Sequence, residues 1–181
     1  MAPEYMIVDS PVGKLKLVAR DMKLVAILWE NERKNRVRLG EMQPADDNPV
    51  LLDAARQLRE YFAGERTQFD LDIAMEGTPF QKRVWDALLD IPFGERRTYR
   101  DIATRIGNRQ AVRAVGAAIG RNPLSIITPC HRVIGSSGSL TGFAGGLPTK
   151  ALLLDTEDRA ARSAQADFRG GLPDFLHDMC I

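Results

Sequence analysis

The sequence predicts an α+β fold: a small N-terminal antiparallel-sheet domain with a helix, then a mainly helical C-terminal domain with a helix-turn-helix. Three observations predict it. Apolar residues run or alternate through residues 6–30 in three short stretches separated by turn residues, as in a meander. Later segments space their apolar residues as helices do, with capping residues or prolines at their starts and glycines near their ends. Charge is also unevenly divided. Residues 1–80 carry 11 Lys/Arg and 14 Asp/Glu, residues 81–150 carry 11 and 4, and residues 151–181 carry 3 and 6.

The first strands are centred on Met6-Ile7-Val8, Leu15-Lys16-Leu17-Val18 and Leu24-Val25-Ala26-Ile27-Leu28-Trp29, broken at Pro11-Val12-Gly13 and Arg20-Asp21-Met22-Lys23. Residues 31–49 are polar and read as a short element and a loop. Asn48 is placed to cap a helix with Pro49 in its first turn. Leu51, Leu52, Ala55, Leu58 and Phe62 are its stripe, and Gly64 its end. Phe69, Leu71 and Ile73 alternate with Asp70 and Asp72, a strand signal. Gly77 marks a boundary, giving domains at 1–77 and 78–157 with a tail at 158–181.

Thr78-Pro79 opens the next helix, with Phe80, Val84, Trp85, Leu88 and Leu89 inward, and Ile91-Pro92-Phe93-Gly94 stops it. Thr98 with Asp101 forms a capping-box pattern for a helix ending at Gly107. Asn108 is expected to cap a following helix that ends at Gly120. The two short helices have the size of a helix-turn-helix. The second is rich in small residues, Ala111, Ala114, Gly116, Ala117 and Ala118. Base readout in the major groove uses long polar side chains. Small residues suit either a helix in the narrower minor groove or a helix packed in a core. The basic middle likewise fits a face for a polyanion or a merely solvated face. A last helix is expected from Pro148 to Glu157. Phe168, Leu172, Phe175 and Leu176 are expected to dock on the domain surface.

Within the basic segment lies Pro129-Cys130-His131-Arg132-Val133. A thiol with a nearby base or cation is a plausible nucleophile, because the thiolate is the reactive form. Pro129 favours an extended approach at Thr128. A structural cysteine beside a satisfied histidine is the plainer alternative. Five glycines follow between Gly135 and Gly146, implying tight turns and close backbone approach. Two cysteines, Cys130 and Cys180, make no disulfide framework, and with His131 and His177 they are too few for a Cys/His zinc site. No apolar run approaches the roughly 18 residues of a membrane span, and no secretory signal is visible. A cytoplasmic protein is expected, without a membrane partner.

Taken together, the helix-turn-helix, the segment from Asn122 to Cys130, the Pro-Cys-His-Arg-Val run and the glycine-rich loop resemble the O6-alkylguanine-DNA alkyltransferase family. The likeness is strong over residues 78–157, with Arg113 seventeen and Asn122 eight residues before Cys130. It implies a ribonuclease-H-like N-terminal domain. It also implies direct-reversal repair: the alkyl group on O6 of guanine, and on O4 of thymine, passes irreversibly to Cys130 in a single turnover without a cofactor. The implied partner is double-stranded DNA containing O6-alkylguanine, bound by a monomer, with cooperativity on DNA open. Cys130, His131 and Glu157 would form a relay in which His131 acts as base through a water. Asn122 would hold the reactive loop, and Tyr99 would donate toward the extruded base. Arg113 would fill the gap in the duplex. The helix around Ala111, Ala114 and Gly116 would lie in the minor groove. Val133, Phe143, Ala144 and Gly145 would line the substrate pocket.

The chain departs from the family pattern in having Phe143 where Tyr is common, Ala144 without a hydroxyl, and no N-terminal Cys/His set for zinc. An alkyltransferase-like damage sensor, which would lack the cysteine, a helix-turn-helix regulator and a cysteine hydrolase are the rival readings.

Overall fold

The structure, a computed structural model, describes residues 1–170. Strands β1 (Glu4–Val8), β2 (Leu15–Arg20) and β3 (Lys23–Trp29) form the expected meander. Met6 pairs with Leu17 and Leu17 with Ile27, and a register shift falls at Val18/Ala19. A two-residue strand, β4 (Gln43–Pro44), adds in parallel to β1, giving the order β3-β2-β1-β4. Alternation along β2 buries Leu15, Leu17 and Ala19 against the helix α1 (Pro49–Phe62), because successive side chains point to opposite faces. Val18 on the opposite face joins Val25 and Ala26 in a smaller cluster.

Asn48 caps α1 as expected, its side chain accepting from the Val50 and Leu51 N–H groups at 2.9 and 3.2 Å; such a cap is worth about 1 kcal/mol. Gly64 follows the helix with φ +76°, the left-handed conformation that glycine adopts without a Cβ clash. The strand expected over residues 69–73 does not form. Only Ile73 bridges Leu24, and the backbone of Asp70 is instead paired with the Gln57 amide, whose Oε1 accepts and whose Nε2 donates at 2.8 Å each. A buried side chain thus takes the place of a strand partner.

Helix α2 (Pro79–Leu89) starts at a complete Thr78–Gln81 capping box. A Cβ at Gly77 would meet the Trp85 ring at 2.5 Å, so close packing requires a glycine there. Strand β5 (Arg97–Thr98) leads into α3 (Tyr99–Arg105), where Thr98 and Asp101 form the expected box. The helix C-cap is Ile106, and Gly107 follows with φ +78°. Asn108 does not cap the next helix. Its N–H is bonded to Ala103 and its carbonyl to Ala111, so it closes α3 and a turn. Helix α4 (Val112–Ile119) begins four residues later, from Ala111, without a side-chain cap.

Helices α2, α3 and α4 enclose a second core of Val84, Trp85, Leu88, Ile102, Val115 and Ile119, which also contains Cys130 and Val133. Trp85 donates to the Ala118 carbonyl at 2.9 Å. Strand β6 (Val133–Ile134) pairs in parallel with β5. The last helix, α5 (Leu147–Gly170), starts one residue before Pro148 and runs well beyond Glu157. Its later turns are nearly all exposed, so they carry no apolar period to mark them as helix in the sequence. Phe168 is 82% exposed, not docked; Leu172, Phe175, Leu176, His177 and Cys180 lie outside the described residues.

The two cores are joined at the outer edge of β3. Ile27 N–H donates to Pro123 O at 2.9 Å and bridges Leu124. The chain that leads to Cys130 is therefore laid along the N-terminal sheet.

Candidate active site

Pro129 has φ −80° and ψ 65°, and Cys130 N–H donates back to Thr128 O at 2.8 Å. This is an inverse γ-turn, and it delivers Cys130 into a 3-10 turn over Cys130–Arg132. Asn122, itself buried, secures the segment from inside. Its Nδ2 donates to Thr128 O at 2.8 Å and its Oδ1 accepts from Leu124 N–H at 3.0 Å. Arg36 donates in turn to Asn122 O, and to Ile27 O at 3.1 Å. Between these anchors Ile126 sits buried with φ +75°, a conformation unfavourable for a β-branched residue that its surroundings must enforce.

Cys130 is 5% exposed. Burial pushes its thiol pKa up, while Asn122, Arg36 and Lys150 pull it the other way. The His131 imidazole is fully enclosed, and burial lowers its pKa against the opposing pull of Glu157. The two groups are therefore a neutral thiol and a neutral imidazole near pH 7. His131 Nε2 lies 2.6 Å from Glu157 Oε1. An ionised carboxylate only accepts, so Nε2 carries the proton. Nδ1 is left as a buried acceptor with no hydrogen-bond partner among the described residues.

Glu157 is the hub. It accepts from Tyr61 Oη at 2.8 Å, from Arg132 Nε at 2.9 Å and Nη2 at 3.0 Å, and from Gly94 N–H at 3.2 Å, besides His131. Burial alone would raise its pKa, but His131 and Arg132 outweigh burial and hold it at about 2. Arg132 also donates to Ile91 O at 2.6 Å.

Of the residues expected from sequence, Cys130, His131, Glu157 and Asn122 converge here. Among the described residues no hydrogen bond joins Cys130 to His131 directly. Tyr99 lies at the start of α3 and is half-buried, its hydroxyl donating to Thr141 O at 3.3 Å and accepting from Thr141 Oγ1 at 3.1 Å. A Cβ at Gly116 would meet its ring at 3.9 Å, ordinary contact. Arg113 and Ala114 are exposed on α4, whereas Val115, Ala118 and Ile119 are buried. The small-residue helix thus has one face in the core and one free, and Ala111 is half-buried at its start. Arg113 makes no hydrogen bond or ion pair among the described residues and stands apart from the relay. Val133 is buried, and its carbonyl already accepts from Lys150 Nζ at 2.6 Å, leaving one lone pair. Phe143, Ala144 and Gly145 form a half-buried loop beside both cores. Among the described residues no group of His, Cys, Asp or Glu is placed to hold a metal ion.

Tyr61, Arg132, Lys150 and Arg36 were not singled out by sequence. Arg132 belongs to the quoted run, but nothing local says that it turns inward. Tyr61 reads as part of the α1 stripe. Lys150 and Arg36 are buried cations that donate to backbone carbonyls, which leave no trace in a sequence; Arg36 is also paired with Glu32, four residues before it.

Residues 4–75 match the ribonuclease-like domain of 6-O-methylguanine DNA methyltransferase, and residues 79–159 match its DNA binding domain. A Methanosarcina barkeri protein named methylated-DNA–protein-cysteine methyltransferase is 47% identical over 161 residues, 87% of this chain and 99% of its own length. One of the same name from Mycolicibacterium paratuberculosis is 48% identical over 157 residues, 86% and 93% of the two chains. Among solved structures, Mycobacterium tuberculosis OGT in complex with DNA aligns with a TM-score of 0.80 at 45% identity, covering 87% of this chain and 94% of that one.

Proposed function

The chain belongs to the 6-O-methylguanine DNA methyltransferase family, and from that premise we propose how its residues carry out the repair of alkylated DNA by transfer to a protein cysteine. The observation that carries the reading is the arrangement of His131, with Nε2 fixed on Glu157 and Nδ1 free in the residue next to Cys130.

His131 Nδ1 takes the thiol proton through a bridging water. The sulfur then attacks the alkyl carbon of O6-alkylguanine in line with the C–O bond. A C–S bond forms, the C–O electrons remain on the guanine oxygen, and guanine takes up the proton given by the thiol. Glu157 stabilises the imidazolium as it forms, following the logic of a triad. The thioether is not hydrolysed, so each chain reacts once.

O6 cannot meet a buried thiol while the guanine is stacked, so the base must be extruded. The free face of α4, with Ala114 and Gly116, suits close approach to the minor groove, and Arg113 is positioned on it to occupy the vacated stack. Tyr99 stands between this helix and the loop at Thr141, where it can donate toward the extruded base. O4-alkylthymine presents the same alkyl–oxygen chemistry and is included as a substrate.

Intact mass after incubation with a duplex containing O6-methylguanine tests the reading. A gain of one methylene, mapped to Cys130, is expected. Tight lesion binding with no mass change would make the protein a damage sensor instead.

A further inference from the structure

Trp29 belongs to β3 of the N-terminal sheet, yet its indole is the surface on which the substrate loop rests. The Phe143 ring meets it edge-on, with centroids 5.5 Å apart at 65°. A Cβ added at Gly145 would come within 2.9 Å of the indole ring atoms, so the backbone of Gly145 lies directly on the ring. Phe143 also packs against the core that contains Cys130. It therefore stands between Trp29 and the reactive side.

The loop is held elsewhere too. Thr141 O accepts from Tyr99 and from the buried Lys150 at 2.9 Å. The wall itself is stiff. Trp29 is 6% exposed, and its strand is paired with β2 on one edge and bridged by Leu124 and Ile73 on the other. A loop fixed at Thr141 and backed by a rigid ring at residues 143–145 cannot retreat to admit a larger group.

We propose that Trp29 is a positioning residue that sets how large an alkyl group the site accepts, acting through Phe143 and Gly145. The inference rests on the function proposed above. An in-line displacement tolerates little displacement of the reacting carbon, and a bulky group that cannot push the loop back is held out of line. Position 144 is alanine and 145 glycine, so beside the Phe143 ring little side-chain bulk stands in front of the wall.

The indole N–H has no hydrogen-bond partner among the described residues, so Trp29→Leu removes ring volume without breaking a polar contact. Single-turnover rates are compared on two duplexes identical except for O6-methylguanine or O6-benzylguanine. Trp29→Leu is expected to raise the benzyl-to-methyl rate ratio about tenfold or more, the scale of discrimination that a pocket wall provides. Gly145→Ala is expected to lower the ratio, because its Cβ drives the loop off the indole toward the reacting group. The double variant is expected to return toward the wild-type ratio, since the smaller side chain makes room for the Cβ. Should Trp29→Leu fail to fold, Trp29→Phe is expected to raise the ratio in the same direction by less. An unchanged or lowered ratio in the folded Trp29 variant overturns the inference. Absence of any methyl transfer by the wild-type protein would instead overturn the function on which it rests.

Discussion

His131 Nε2 and Glu157 Oε1 lie 2.6 Å apart with both side chains sealed from solvent. Such a contact fixes the tautomer of the ring. It also makes the carboxylate serve a buried cation besides the imidazole, since the same oxygen and its twin accept from Arg132.

Glu157→Gln is expected to slow transfer to Cys130 by about a hundredfold or more, as losing the carboxylate that orients the histidine and stabilises its imidazolium does. It also leaves Arg132 buried without its counter-charge, a loss of about 3–5 kcal/mol. Single-turnover kinetics and urea unfolding read the two effects separately. Near-wild-type kinetics in a folded variant would remove Glu157 from the relay.

Three buried groups set the edges of the stability plateau, and Tyr61, raised above its ordinary 10 by burial, adds to the loss at still higher pH. Glu157 is held at about 2 against an ordinary 4.5; its contribution is complete above 4.5 and is lost as pH falls toward 2. His131 is shifted below 6.5 by burial. The unfolded chain then binds the proton first, so stability also declines as pH falls below 6.5. Cys130 is shifted above 9.0 by burial; its contribution is complete below 9.0 and is lost as pH rises beyond it. Urea midpoints should form a plateau between about 6.5 and 9, and Cys130→Ser should flatten the alkaline limb. An alkaline limb unchanged in that variant would contradict the assignment.

Asn122→Ala would leave Leu124 N–H unpaired in the core and Thr128 O with the Cys130 N–H alone. The orphaned N–H loses about 1–3 kcal/mol, and the strained turn at Ile126 loses its anchor. Lower thermal stability together with slower transfer is expected. A variant that keeps both would show that Arg36 and the β3 edge suffice to hold the loop.

Arg113→Ala is expected to slow repair in duplex DNA far more than reaction with the free alkylated base, with no change in melting temperature, because Arg113 is exposed and unpaired among the described residues. An equal loss with both substrates would rule out its place in the duplex. DNA binding by the wild type should weaken as salt rises and show little sequence preference.

Much of this was legible in the sequence where local chemistry decides the outcome. The meander, the Asn48 and Thr78 caps, the Thr98–Asp101 box and the Cys-His run are all short-range signals. Legibility failed where a distant group substitutes for a local one. The alternation at Phe69, Leu71 and Ile73 reads as a strand, but the Gln57 amide takes the backbone of Asp70. Asn108 reads as a cap, but its backbone is already committed to α3. The extension of α5 past Glu157 lacks an inward stripe because those turns face solvent. Tyr61 reaches Glu157 across 96 positions of sequence, and no periodicity encodes such a meeting.

The bond from Ile27 N–H to Pro123 O has a kinetic meaning. Amide exchange at β3 and at the segment before Cys130 should share one opening event, since neither can lose its partner without releasing the other. Gly77 lies between the two matched stretches, residues 4–75 and 79–159. Unfolding would cross it as a single cooperative step, so the reactive turn draws its persistence from strands that never touch the substrate.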